Sequence, residues 1–307
     1  MVIITLRSLV KVPALLVLFT TFSTVFGQFN DSLAKNKFLP LAAAAYTIYP
    51  AQCVTNVFED ASVTKTVTAE CGTNIGEFKL CYGFTGVAHK DKAVFLSYRG
   101  TVGGIQLLYE SYETAFAPMV EAKIGGKVSQ YFYNVYSNLQ KDGLNDEVLR
   151  LAKEYPDYAI WIGGHSLGGA LSSISAAELI KIQNISPEKV TVITFGEPRS
   201  GNSEYSKNYD ALVPKTFRVV NKADLVPHLP PLGFFDYVHH STEVWYEKGM
   251  LNTAEYTMCP PESNDCSNKI GAKYIFTDHF TYYMQFVVGY GLSGCGAIAA
   301  AFKKFFG

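Results

Sequence analysis

Apolar positions along this chain fall into two kinds of run. Short, near-continuous stretches rich in β-branched and aromatic residues occur at 93–98 (AVFLSY), 158–162 (YAIWI), 190–195 (VTVITF) and 217–220 (FRVV). Runs of that length, bounded by polar or glycine-containing segments, predict strands buried on both faces. Between them apolar residues recur at helical spacing, as Val128, Phe132, Val135 and Leu139 and then, past a break at Gly143, as Leu144, Val148 and Leu151. Helices are also expected over 33–46, which holds an alanine run, and over 169–181. Strands alternating with helices predict an α/β fold, a mostly parallel central sheet with helices on both faces. A further strand-like stretch ends at Trp245. Residues 53–81, with three cysteines and many threonines, predict a β segment tied by disulfides, and 277–280 read as the opening of a final amphipathic helix. Residues 286–302, apolar but rich in glycine and other small residues, read as a packed tail pinned through Cys295 rather than a membrane span.

Residues 1–27 stand apart. Arg7 and Lys11 give a basic start, 14–26 is uncharged and apolar, and Val25-Phe26-Gly27 offers short residues for cleavage. This is the pattern of a secretory signal peptide cleaved after Gly27, and it is short for a retained bilayer anchor. Residues 28–307 contain no internal repeat, charge block or low-complexity linker and predict one domain. A net charge of −1 and the absence of lysine or arginine runs argue against nucleic acid as a partner and against an electrostatic membrane anchor. All six cysteines (Cys53, Cys71, Cys81, Cys259, Cys266 and Cys295) follow residue 27, and an even count in an exported chain predicts disulfides. No cysteine–histidine spacing fits a metal site. Asn30-Asp31-Ser32 is a glycosylation acceptor, whereas Asn184-Ile185-Ser186 is a poorer one because Pro187 follows.

The candidate chemistry sits at Gly164-His165-Ser166-Leu167-Gly168, between an expected strand and an expected helix. A G-x-S-x-G pentapeptide in that setting is a nucleophile elbow, a turn so tight that the serine is strained and its hydroxyl stands clear of the sheet. The plain alternative is a glycine-rich loop. A serine hydroxyl needs a base to take its proton and an acid to orient that base, in the chain order serine, acid, histidine. Asp224 follows the 217–220 strand on a loop broken by Pro227, Pro230 and Pro231. On spacing alone it is equally a loop-capping aspartate. His89 precedes the serine, His165 lies inside the elbow, and His228 is four residues from Asp224 and has little room to reach over. His279 and the pair His239 and His240 remain in competition.

A resemblance decides between them. Gly164–Gly169 (GHSLGG) is similar to the elbow of the fungal-type class 3 triacylglycerol lipases, within the α/β-hydrolase superfamily. So are 98–101 (YRGT) to their oxyanion loop, 194–202 (TFGEPRSGN) to the stretch after the next strand, and 224–230 (DLVPHLP) to the segment with the catalytic aspartate. Asp278-His279 resembles the segment with the catalytic histidine, and Cys259 and Cys266 resemble a disulfide hairpin found in some members. The resemblance runs from about Ala44 to Cys295. It implies an α/β-hydrolase fold with Ser166, Asp224 and His279 as catalytic triad, and the backbone N–H groups of Leu167 and Thr101 as oxyanion hole. His239, followed by Glu243 and Trp245, resembles a structural histidine near the site. The implied disulfides are Cys53–Cys295, Cys71–Cys81 and Cys259–Cys266. After Thr101 the family carries a lid, for which Ile105, Leu107, Leu108 and Tyr109 are the candidate apolar face and Gly103-Gly104 the hinge. The segment lacks the family's usual tryptophan or basic residue, and an ordinary loop packed over the sheet is the equal alternative.

The expected activity is hydrolysis of lipid esters, foremost triacylglycerol, through an acyl-enzyme, without cofactor or metal, by a secreted monomer working at a lipid–water interface. The alternatives are a phospholipase A1 or an aryl-acid (feruloyl-type) esterase, which the same scaffold hosts. A secreted lipid-binding protein on a dead hydrolase scaffold is the reading from another class, and it would have lost one of the three residues, all of which are present.

Overall fold

The computed structural model describes residues 28–70, 80–101, 118–251 and 255–296. The leader at 1–27, the expected lid face of Ile105, Leu107, Leu108 and Tyr109, and Cys71 with its pairing lie outside these residues. Among the described residues the main sheet has eight strands, here β1 (Ala61–Glu70), β2 (Leu80–Ala88), β3 (Ala93–Tyr98), β4 (Ala159–His165), β5 (Val190–Phe195), β6 (Thr216–Asn221), β7 (Thr242–Tyr246) and β8 (Thr257–Cys259). Their order across the sheet follows their order along the chain. β3 to β7 are mutually parallel, while the edge pairings β1–β2, β2–β3 and β7–β8 are antiparallel.

Side chains alternate across a strand, so each central strand feeds two cores. Val94, Leu96, Ile160, Ile162, Val190 and Val192 face one core, together with the helices Gln130–Lys141, Leu144–Glu154 and Leu167–Lys181. Phe95, Trp161, Ile193, Phe195, Phe217 and Val219 face the other, with the N-terminal helical segment from Asp31 to Ala44 and the C-terminal Val287. Burial on both faces is what removed the polar alternation from these strands in the sequence. The N-terminal segment widens into a π-turn over Ala34–Phe38 just before Pro40. A proline inside a helix lacks its N–H and crowds the carbonyl four residues back, and the wider turn accommodates both. Asn30 caps this segment through its side-chain oxygen.

Two expectations are corrected. Cys53 belongs to the helix Pro50–Val57 and not to a β segment, with Pro50 at the first helical position where its missing N–H costs nothing. The 276–280 stretch is a 3₁₀ turn followed by a two-stranded hairpin, Thr281–Tyr282 with Gln285–Phe286, and only Val287–Leu292 is α-helical. The backbone of this stretch is engaged elsewhere. Ile275 donates its N–H to Ala223 O, and Asn221 donates its side-chain amide to Asp278 O and Thr281 O. Those carbonyls are thereby bound to the end of β6 instead of to an i+4 helical ladder.

Among the described residues two disulfides close the fold, with the pairings the resemblance implied. Cys53–Cys295 joins the Pro50–Val57 helix to the C-terminal tail, and Cys259–Cys266 closes a short loop after β8. No helix among the described residues is long and apolar enough to cross a membrane.

Candidate active site

Ser166 stands between β4 and the helix Leu167–Lys181 with φ 61° and ψ −131°, a left-handed conformation that a serine adopts only under constraint. The constraint is close packing. A Cβ on Gly164 would lie 2.3 Å from Gly168 O, and one on Gly168 would lie 2.2 Å from Tyr98 O. Strand, turn and helix therefore meet at distances only glycine permits. Ser166 N donates to Phe195 O at 2.9 Å, which ties the turn to β5.

Asp224 lies on the loop leaving β6 and is fully buried. Its Oδ1 accepts from Val226 N at 2.9 Å, so it does cap its own loop. The same carboxylate accepts from His279 Nδ1 at 2.8 and 3.0 Å and from the Tyr282 hydroxyl at 2.5 Å. The capping and charge-pairing readings of Asp224 hold together. Burial alone would push this carboxyl up, but His279, Tyr282 and the Val226 N–H outweigh it and hold the group below the usual range. It is ionised at neutral pH, so Nδ1 of His279 carries the proton and Nε2 is left as the basic nitrogen. Among the described residues, His279 Nε2 and Ser166 Oγ are both buried and without a hydrogen-bond partner. An imidazole with one nitrogen fixed by a carboxylate and the other bare is set to accept a proton.

His165 connects the elbow to this histidine. Its Nε2 lies 2.8 Å from His279 O and its Nδ1 lies 2.7 Å from the Tyr46 hydroxyl. A carbonyl only accepts, so Nε2 donates and Nδ1 accepts from Tyr46. Burial, and next the neighbouring His279, pull the His165 pKa down to about 3, which keeps this neutral tautomer in place. The two imidazoles pack at a tilt of 30°, with centroids 4.4 Å apart.

Thr101 follows β3 on the segment that packs against the elbow. A Cβ on Gly100 would come within 3.1 Å of Ser166 Cβ, and the hydroxyl of Thr101 is buried without a partner among the described residues. Leu167 opens the following helix, where the first N–H groups have no intrahelical acceptor. The two candidate oxyanion donors thus belong to segments that touch beside Ser166.

The competing histidines are engaged elsewhere. His239 donates from Nε2 to Pro227 O at 2.6 Å, and His240 pairs through Nε2 with Glu197 at 3.1 Å. His228 stacks on Tyr274, and His89 packs on Tyr155 and Tyr158. Among the described residues no cluster of three or more histidine, cysteine or acidic side chains is arranged to hold a metal ion. Sequence reasoning missed Tyr46, Tyr282 and the connecting role of His165. No local signal marks a tyrosine whose partner lies far along the chain. His165 was visible only as a neighbour of the serine.

Comparison with known proteins agrees with this geometry. Residues 95–234 match the family described as Lipase (class 3). A lipase of Caenorhabditis elegans is 30% identical, over 90% of this chain and 86% of its own. A lipase of Rhizomucor miehei is 29% identical over 63% of this chain, which spans about half (52%) of that relative's length. A secreted mono- and diacylglycerol lipase of Malassezia restricta is 27% identical over 68% of this chain and 69% of its own. Among solved structures, the lipase from Rhizopus microsporus var. chinensis superposes with a TM-score of 0.72 at 26% identity, over 84% of this chain and 89% of that one. With the parallel sheet, the strained serine turn and the buried Asp224–His279 pair in place, this chain is an α/β-hydrolase that belongs to the class 3 lipase family.

Proposed function

We propose that this protein is a secreted lipid-ester hydrolase acting on acylglycerols, foremost triacylglycerol, with Ser166, His279 and Asp224 as its triad. The observation that carries the reading is the His279 imidazole, pinned at Nδ1 by ionised Asp224 with its Nε2 bare, and Ser166 Oγ likewise buried without a hydrogen-bond partner among the described residues. His279 Nε2 takes the serine proton as Ser166 Oγ bonds to the ester carbonyl carbon. The oxygen of the tetrahedral intermediate is met by the N–H groups of Leu167 and Thr101, with the Thr101 hydroxyl as an added donor. His279 then returns the proton to the departing alcohol, and water repeats the sequence on the acyl-enzyme. Export is supported by the signal-like leader and by the secreted relative from Malassezia. Residues 28–307 are read as one catalytic domain, since both cores share one sheet.

The test is hydrolysis of emulsified long-chain triacylglycerol beside diacylglycerol, monoacylglycerol and a soluble short-chain ester, with Ser166→Ala as control. The serine variant is expected to lose about a millionfold in kcat while keeping its fold. His279→Ala is expected to match that loss, and His239→Ala to be milder. Turnover by Ser166→Ala near the wild-type rate sinks the triad. A larger loss from His239→Ala than from His279→Ala reassigns the base.

A further inference from the structure

The loop carrying Asp224 has no regular ladder of its own beyond a single 3₁₀ turn at Val226–His228. Its carbonyls are held from outside. Arg199 donates from its backbone N–H to Leu229 O at 2.8 Å and from Nη1 to Pro230 O at 2.8 Å. His239 donates from Nε2 to Pro227 O at 2.6 Å. These two residues, forty positions apart, share one further partner. Glu262 accepts both remaining Arg199 donors in a fork, Nε on Oε1 and Nη2 on Oε2, each at 2.7 Å, and its Oε1 also accepts the His239 N–H at 2.7 Å. Asn268 completes the carboxylate at 3.0 Å. Arg199 is only 2% exposed and the Glu262 side chain 16%.

Glu262 sits inside the loop closed by Cys259–Cys266, where its own φ is +58°. Glutamate has no intrinsic preference for that left-handed backbone, so the short disulfide ring and the carboxylate's partners hold it there. Ser267 N donates to Glu243 on β7 at 3.0 Å, which fastens the far end of the ring to the sheet. The disulfide ring thus presents one carboxylate to the Arg199 side chain and the His239 backbone N–H, the two residues that grip the aspartate loop.

We propose that Glu262 and Arg199 are positioning residues for the triad: the Cys259–Cys266 ring sets Glu262, Glu262 sets Arg199 and His239, and these fix the segment that aims Asp224 at His279. The inference rests on the triad reading above. A buried ion pair is weak evidence of stabilisation, because desolvation offsets much of the Coulomb attraction, and well-packed apolar residues often serve as well. A bidentate fork differs from an apolar contact in fixing direction, and catalytic geometry is sensitive to shifts of about 1 Å.

Stability and positioning are separable by experiment. Glu262→Gln, Glu262→Asp and the double variant Arg199→Met with Glu262→Leu are assayed well below their melting temperatures. Glu262→Gln is expected to lower kcat about tenfold with KM little changed, and Glu262→Asp to recover part of it. The double apolar variant is expected to regain melting temperature but not kcat. Recovery of both together makes the pair merely structural and overturns the proposal, as does wild-type kcat in a folded Glu262→Gln. Replacing both Cys259 and Cys266 by alanine is expected to lower kcat by itself and to add nothing to Glu262→Gln. Additive losses overturn the route through the ring. The downfield proton resonance of His279 Nδ1–H gives a readout independent of turnover. It is expected to broaden and shift in Glu262→Gln, and an unchanged resonance overturns the proposal even if the wild type hydrolyses no ester offered. A wild type without esterase activity, by contrast, removes the functional reading.

Discussion

At the scale of single residues, the site combines a fully bonded carboxylate with reacting groups left bare, Ser166 Oγ and His279 Nε2. Asp224 accepts from His279, Tyr282 and Val226 N–H at once, and each donor favours its charged form. Tyr282 itself is held protonated, its pKa raised first by burial and then by the carboxylate beside it. Tyr282→Phe keeps the ring packed on Phe195 and His165 but removes one donor from the carboxylate. A hydrogen bond to a charged group contributes about 1.5–3 kcal/mol, so the variant is expected to lose that much stability. Its kcat is expected to fall modestly, because the orienting carboxylate stays ionised and paired. Urea unfolding and steady-state kinetics on one preparation check both parts, and unchanged stability would place the tyrosine outside the Asp224 network. Glu197, buried among Ser173, Thr194, Ser200 and His240, follows the same logic: burial raises its pKa, and His240 and the hydroxyls bring it below the usual range.

At the scale of elements, the decisive contact is between the Tyr98–Thr101 segment and the start of the Leu167–Lys181 helix. Gly168→Ala drives a methyl group to 2.2 Å from Tyr98 O, a backbone atom that cannot swing away. Overpacking of this kind costs about 1–3 kcal/mol. The helix start and the Thr101 segment must also part, so activity of the folded variant is expected to fall by about a hundredfold or more if these segments carry the oxyanion donors. Gly169→Ala meets only side-chain carbons at 3.0 Å and beyond, and is expected to be the milder variant in a paired kinetic assay. The reverse ranking would put the oxyanion donors on another segment. The loop after β6 shows the complementary case, an irregular element given one shape by bonds from Arg199, His239 and the 275–281 stretch rather than by its own sequence.

At the scale of the whole molecule, acid acts through several groups in one direction. His165 and His228 are pulled down to about 3, in each case mainly by burial, and His239 lies well below its ordinary value for the same reason. The unfolded chain protonates these histidines below about pH 6.5, while the folded chain does not until much lower pH. The unfolded state therefore binds more protons in that window, and stability falls as pH drops from about 6.5 toward 3. Asp224, Glu197 and Glu262 have lowered pKa values, so their contribution is present above about pH 4 and is lost below it. Urea midpoints at pH 7, 5.5 and 4 are expected to decrease steadily, and a flat profile would contradict the buried neutral histidines. The Cys53–Cys295 bond spans 242 residues and so constrains the unfolded chain most. Replacing both cysteines by serine is expected to cost up to about 4–5 kcal/mol, read from the same midpoints.

The sequence by itself determined the parallel strands, the two helices before β4, and the elbow with its candidate serine, because each is written in short-range periodicity or in a pentapeptide whose geometry is local. Its resemblance to class 3 lipases also supplied Asp224 and His279, which spacing alone left beside capping and structural alternatives. Only the tertiary structure decided that Asp224 both caps its loop and pairs with His279, and that His239 and His240 are engaged elsewhere. It alone showed that 276–280 turns back instead of continuing as a helix. Tyr46, Tyr282, Arg199 and Glu262 likewise became part of the site only in three dimensions. Their partners lie up to 119 residues away in the chain. A hydrogen bond leaves no mark on the sequence between its ends, and a backbone that forms its bonds with a distant loop carries the same side chains as one that forms them with itself.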